Sequence, residues 1–246
     1  LSVANLAAWD ADKLSHAHAA AGALLTYAEH TQGRSLPHVS QLKVQKAKEL
    51  IDLPTSTRRN LELTQTLRGE DSPTLFSLLD TCMTGMGSRQ LKQWLLNPPR
   101  DRQVAVERLA ALDQLNDNSA AAQSGVAIWA RLREQLKGAS DVERITARIA
   151  LKQVRPRELV ALKNALIRSA SLSHHLQDTL GHLSPTKMLH DIHFDLQPPV
   201  GLTEILQQAL LEEPANLIRD GGVMANGLDA ELDELRAIQI NCDDFL

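Results

Sequence analysis

Apolar residues recur at steps of three and four along most of the 246-residue chain, the period of amphipathic helices. Residues 12–30 place Leu14, Ala17, Ala21, Leu24, Leu25 and Ala28 on one such stripe, and Gly33 followed by Pro37 ends it. Around 39–53, Val39, Leu42 and Val44, then Leu50, Ile51 and Leu53, flank a polar Lys46-Ala47-Lys48. That pattern fits a small hairpin slightly better than a helix. Ser72 reads as an N-cap with Pro73 in the first helical position, so a helix should run through Leu75, Leu78 and Leu79. Gly85-Met86-Gly87 precedes a helix whose face is Met86, Leu91, Trp94 and Leu95, closed by Pro98-Pro99. Asp101 then caps a helix carrying Val104, Leu109, Leu112 and Leu115.

Further helices are expected at 125–137, 141–152, 156–171 and 174–182, with Pro156 well placed to open the third. Another follows Pro198-Pro199 and carries Leu202, Ile205, Leu206, Ala209 and Leu210. The clearest β signal is Leu217-Ile218-Arg219 and Gly222-Val223-Met224-Ala225 about Asp220-Gly221, a dipeptide suited to a turn that needs positive φ. Asn226-Gly227 ends that unit, and from Asp229 the pattern stays helical to Leu246, roughly 27 Å at the helical rise. The chain thus reads as mainly α and multi-helical, with long helices and one or two small β-hairpins.

Composition narrows the classes of function. Hydrophobic residues make up 43% and charged residues 23%, which suits a folded globular protein and excludes a wholly disordered one. Three Trp, three Phe and one Tyr are too few for repeated stacking platforms on single-stranded nucleic acid. Cys82 and Cys242 form no disulfide framework or zinc ribbon, which favours a reducing, cytoplasmic setting. No apolar run approaches the ~18 residues that span a bilayer, so no membrane partner is expected. The first methionine is Met83, and the chain is read as a piece of something longer. The net charge of −4 hides a segregation. Residues 131–168 hold ten basic groups against four acidic ones, and residues 212–246 hold two against nine. Oppositely charged, solvated helix faces account for this more simply than a phosphate-binding face.

Catalytic chemistry is missing from the pattern. The twelve glycines never form a phosphate-binding loop followed by Lys-Ser/Thr, and neither a nucleophile elbow nor a His-Glu-x-x-His pair occurs. His174, His175, His182, His190 and His193 cluster in sequence. The fixed acidic partner of a hydrolytic site is not evident beside them and Pro185 breaks the stretch, so no metal and no catalytic residue is assigned.

Residues 54–115 carry an ordered series. Thr57-Arg58-Arg59-Asn60-Leu61-Glu62-Leu63 precedes Thr74-Leu75-Phe76-Ser77-Leu78-Leu79-Asp80, then Thr84-Gly85-Met86-Gly87-Ser88-Arg89, then Leu91-Lys92-Gln93-Trp94-Leu95. Pro98 and Arg108 follow, and Asp141-Val142-Glu143-Arg144-Ile145, Arg155-Pro156-Arg157-Glu158-Leu159 and Ile218-Arg219-Asp220-Gly221-Gly222-Val223 extend the series. In this order the blocks resemble the core, or lever, domain of the bacterial MutS family of DNA mismatch-repair proteins. Ala19–Leu25 with Tyr27 and Leu36-Pro37-His38 is similar to the end of that family's connector domain. The resemblance implies residues 1–37 as the end of the connector and 38–246 as the first part of the core, stopping on the lever helix before the clamp.

It further implies a homodimeric parent that binds mismatched double-stranded DNA and hydrolyses ATP with Mg, with the chemistry housed outside this segment. The family's Phe-x-Glu mispair wedge is missing, since Phe76, Phe194 and Phe245 have no glutamate two positions on. The nucleotide-binding loop is missing too, so no cofactor is expected in this segment. It reads as a non-catalytic structural and allosteric element linking clamp and connector to an ATPase domain. An autonomous helical interaction scaffold unrelated to DNA is the alternative. Residues 57–97 are the expected lever junction. Arg58, Arg59, Glu62 and Arg89 are expected to make charge-assisted bonds there, and Asn60 is a further candidate junction residue. Leu61, Leu63, Leu79, Leu91 and Trp94 are expected to fill its core, while Gly85 and Gly87 permit an interhelical turn. Ala209, Leu210 and the 238–245 stretch are expected to be exposed.

Overall fold

The computed structural model describes residues 11, 13–33, 35–36, 39, 44, 47–116, 126–180 and 185–240. Two compact units divide the chain, Leu1–Asp52 and Leu53–Leu246. The boundary expected at 37/38 falls on residues outside the described ones. In the smaller unit, α1 (Ser15–Gln32) ends as its sequence requires. Gly33 takes φ +65°, and its N–H reaches the Glu29 and His30 carbonyls. The half-buried side of α1 is His18, Ala21, Leu25, Ala28 and Gln32, so Leu14, Ala17 and Leu24 face solvent. A 3₁₀ turn at Ala47–Glu49 stands where a hairpin was expected, and Leu42 and Lys46 of that expectation lie outside the described residues.

The larger unit begins with α2 (Thr55–Asn60) and α3 (Leu75–Leu79). The cap of α3 is Thr74, not Ser72. Thr74 is extended, its hydroxyl accepts the Ser77 N–H, and the Ser77 hydroxyl accepts the Thr74 N–H. The Ser72-Pro73 peptide before it is cis. Helix α4 (Gly85–Leu96) follows, and Asp101 caps α5 (Arg102–Leu115) by accepting the Gln103 N–H at 2.9 Å. Helix α5 turns Val104, Glu107, Arg108, Ala111, Gln114 and Leu115 inward. At 100° per residue that stripe leaves Leu109 and Leu112 on the far side with Val106, exposed rather than in the core.

Five helices of the unit pack through one of them. After α6 (Ile128–Leu136) and α7 (Val142–Ala150) comes α8 (Pro156–Leu180), then α9 (Lys187–Asp195), α10 (Leu202–Ala209) and α11 (Ala230–Ile240). Helix α8 packs against α6, α7, α9 and α10. It is one 25-residue helix, about 37 Å long, not the two expected at 156–171 and 174–182. Nothing at the supposed joint breaks it. Leu172 and Ser173 are buried, and the Ser173 hydroxyl donates to the His193 carbonyl of α9 at 3.0 Å. His182 lies outside the described residues. Ala111, Leu176, Leu180 and Leu189 form the core, with Leu115, Leu132 and Met188 packed against it.

An isolated antiparallel bridge, Leu210 to Met224, stands where the hairpin about Asp220-Gly221 was expected. Residues 222–225 pair with 209–215: Leu211 donates to Val223, Ala215 to Gly222 and Ala225 to Ala209. Residues Ile218–Asp220 form a 3₁₀ turn. Gly221 and Gly222 take the positive φ values, so the chain reverses one residue later than an Asp-Gly turn would allow. The return strand then meets 209–215 instead of 217–219, which buries Leu210, a residue expected to be exposed. Ile238 on α11 is exposed, and residues 241–246 of the expected terminal helix lie outside the described residues.

Leu176 is 2% exposed at the centre of the core. Leu176→Ala should lower the unfolding free energy by about 2–5 kcal/mol, read from urea denaturation of the chain.

Candidate functional site

The sequence-expected junction residues do not converge on one core. Leu63 is buried and Leu91 half-buried, whereas Leu61, Leu79 and Trp94 are exposed. Arg58 and Arg59 bond backbone carbonyls instead of acids: Arg58 Nε donates to Leu53 O at 2.8 Å and Arg59 Nη2 to Leu67 O at 3.2 Å. Asn60 is exposed at the end of α2. Glu62 accepts the Leu67 N–H at 2.7 Å. Trp94 lies under the Arg108 guanidinium, 3.8 Å from ring centroid to carbon, so it joins α4 to α5 through a cation–π stack. Lys92 stands 5.8 Å from the Phe76 ring and joins α4 to α3.

Arg89 is where long-range charge bonding concentrates. Thr84 caps α4 by accepting the Gly87 N–H at 3.0 Å, which starts the helix so that Arg89 projects from its second turn. The Arg89 fork meets Asp141 at 2.8 Å through both Nη atoms, and Nε donates to Glu143 at 3.1 Å. Asp141 is also the N-cap of α7 and accepts the Arg144 N–H at 3.3 Å. One carboxylate thus ends one helix and receives a side chain from another, 52 positions away. The Arg89 donors hold the Asp141 carboxyl below its ordinary range, against the opposing effect of burial, and the Arg144 N–H adds to the lowering. The two acids raise the Arg89 guanidinium in turn. Bidentate geometry fixes direction as well as distance.

A second set of bonds continues from α7 to α8. Arg148 Nη1 donates to Glu158 in the first turn of α8, and the other Glu158 oxygen accepts the Arg155 N–H at 2.9 Å. Farther along α8, Arg168 Nη1 donates to Gln135 O and Lys137 O, both at 2.7 Å, at the C-terminal end of α6. Cations suit that end because unpaired carbonyls gather there. Several members of the basic block of 131–168 are therefore engaged in joining helices. The acids that complete the set, Asp141, Glu143 and Glu158, were not chosen from sequence as junction residues. A helix starting at 141 was legible in the sequence, but the distant partner of Asp141 was not.

Gly85 and Gly87 lie inside the first turn of α4 and make no interhelical turn. Neither takes a positive φ. What distinguishes Gly87 is crowding: a Cβ there would sit 3.2 Å from Thr84 Oγ1 and 3.3 Å from Cys82 Cβ, whereas one at Gly85 would come no nearer than 3.6 Å to Arg89. Among the described residues, no group of three or more His, Cys, Asp or Glu is placed to hold a metal ion. His193 Nδ1 is engaged by Ser173. No described helix is long and apolar enough to cross a membrane.

Comparison with known families matches residues 56–244 to MutS domain III.

Gly87→Ala should destabilise the chain by about 1 kcal/mol or more, because Thr84 is held by its cap and cannot yield. Gly85→Ala should be neutral within about 0.5 kcal/mol, both read by thermal denaturation. Because Asp141 titrates lower when folded than its ordinary 3.8, its contribution is complete above that value and fades as pH falls through the folded one. The stability gap between the native chain and Asp141→Asn should therefore be full at neutral pH and close in strong acid.

Proposed function

The chain belongs to the MutS mismatch-repair family, whose domain III is helical and non-catalytic, and from that premise we propose that it couples mispair binding to ATP turnover within a longer, dimeric parent. In this reading residues 38–246 form the first part of the core and residues 1–37 the end of the connector. Mispaired duplex and ATP with Mg bind elsewhere in the parent, which works in the cytoplasm. Membership in the family argues against a freestanding scaffold unrelated to DNA.

The observation that carries the proposal is the run of directional charge bonds from α4 through α7 to α8. Arg89 grips the start of α7 by Asp141 and Glu143, and Arg148 on α7 grips the start of α8 by Glu158. Helices resist axial strain because each turn is closed by backbone hydrogen bonds. Ion pairs at helix starts, two-pronged at Arg89–Asp141 and single at Arg148–Glu158, let one rigid element drag the next. Coupling between distant sites needs discrete packings that both sites bias, and a set of stiff rods tied at their ends provides them. Arg58, Arg59, Asn60, Glu62, Gly85, Gly87, Arg89 and Trp94 would be the junction residues of this device. Of these, Arg89 transmits, Gly87 and Trp94 seat α4 against its neighbours, and Arg58 and Arg59 brace the approach from α2.

Arg89→Lys keeps the charge but cannot engage Asp141 with two parallel donors. In the full-length parent it should reduce, by about fivefold, the factor by which a non-hydrolysable ATP analogue changes the Kd for a mispaired duplex. Trp94→Ala should reduce it in the same direction. Coupling unchanged in Arg89→Lys would reject the proposal.

A further inference from the structure

Glu62 adopts φ +46°, in the left-handed region where the Cβ of an L-residue crowds its own carbonyl. Glycine sits there without strain, and asparagine is the commonest side chain that tolerates it. A glutamate held in that conformation calls for a reason, and its bonds supply one. The Glu62 N–H donates to Arg59 O at 3.0 Å, and the Leu63 N–H donates to Arg58 O at 3.3 Å. These close the end of α2. The Glu62 carbonyl then accepts the Leu75 N–H at 3.1 Å, and the Leu63 carbonyl accepts the Phe76 N–H at 2.9 Å. Leu75 and Phe76 are the first two residues of α3, whose N–H groups have no partner within the helix. The Glu62 carboxylate takes the Leu67 N–H at 2.7 Å, and the Leu67 carbonyl receives Arg59 Nη2 at 3.2 Å. That pins the loop between the two helices to the end of α2.

A five-residue helix does not persist on its own nucleation energy. Helix α3 is held at its start by this weld and by the Thr74–Ser77 box, and along its length by packing on α4. Arg89 sits on α4. We propose that Glu62 is a positioning residue which extends the coupling path upstream: its left-handed backbone and its carboxylate together lock α2 to α3, and α3 in turn sets α4 and the Arg89 fork. Among the junction residues it is the one whose backbone is strained. The acceptor oxygen at that reach, not the charge, is what the position requires, because its partner is a neutral backbone N–H. This assignment rests on the coupling role proposed above.

The test separates backbone relief from loss of the acceptor. Glu62→Gly relieves the left-handed strain and removes the carboxylate. Glu62→Asn tolerates the same backbone, but its shorter side chain does not reach the Leu67 N–H. Glu62→Gln keeps an oxygen acceptor at the same reach. In the full-length parent, the ATP-analogue effect on mispaired-duplex Kd should fall about fivefold in both Glu62→Gly and Glu62→Asn and stay within about twofold in Glu62→Gln. The melting temperature of Glu62→Gly should remain close to the native one, because relief of strain offsets the lost bond. A purely structural role would leave coupling untouched in any variant that melts like the native protein. Native coupling in a folded Glu62→Gly or Glu62→Asn, or equal loss in Glu62→Gln, overturns the proposal. Arg89→Lys run alongside distinguishes the two failures: if it too is without effect, the coupling reading falls, and if it alone collapses coupling, only the role of Glu62 falls.

Discussion

Helix α8 buries Leu162, Leu172, Leu176 and Leu180, and α6, α7, α9 and α10 all pack against it. Burial of apolar area is non-directional and does not by itself set how far a neighbour slides along the helix. Polar bonds from the same helix do. Ser173 meets the His193 carbonyl, Arg168 meets the last carbonyls of α6, and Arg157 donates to Pro214 O beyond α10. The first two end on carbonyls at the C-terminal ends of α9 and α6, so the axial register of those two neighbours is fixed by directional bonds while the leucines supply the attraction, and the third ties α8 to the segment after α10.

Helix ends are the natural place for such bonds. Every helix leaves unpaired N–H groups at its start and carbonyls at its finish, and an ion placed there is favoured by the aligned peptide dipoles. Asp141, Glu158 and Arg168 all exploit this. Glu62 does the reverse: it offers its own carbonyl to the start of α3 and accepts backbone strain to do so. The pairs are partly solvated, with Arg89 and Asp141 side chains 40% and 26% exposed. Their worth therefore lies more in geometry than in free energy.

Gly87 shows the same economy at the scale of one residue. It sits in a helix, where glycine is ordinarily a poor choice, because α4 starts so close to Cys82 and Thr84 that no Cβ fits comfortably. The outward face of α5, with Val106, Leu109 and Leu112 exposed, has the opposite character: its helix pattern is apolar on two sides, and packing inside this unit uses only one.

Local order is what the amino-acid pattern by itself determined. Gly33 ends α1, Asp101 starts α5 and Asp141 starts α7 because a cap acts on atoms within a few positions. The mainly helical class follows from periodicity, and the ordered motif series pointed to the family that the match over 56–244 establishes. Tertiary structure alone decided which charged groups meet. Arg89 and Asp141 are 52 positions apart, and no periodicity selects one acid among thirty for a given arginine. It also decided which of two apolar sides of α5 is buried, that α8 continues where a break was expected, and that 222–225 pairs with 209–215. In each case competing local choices lie close in free energy, and contacts made by distant segments tip the balance.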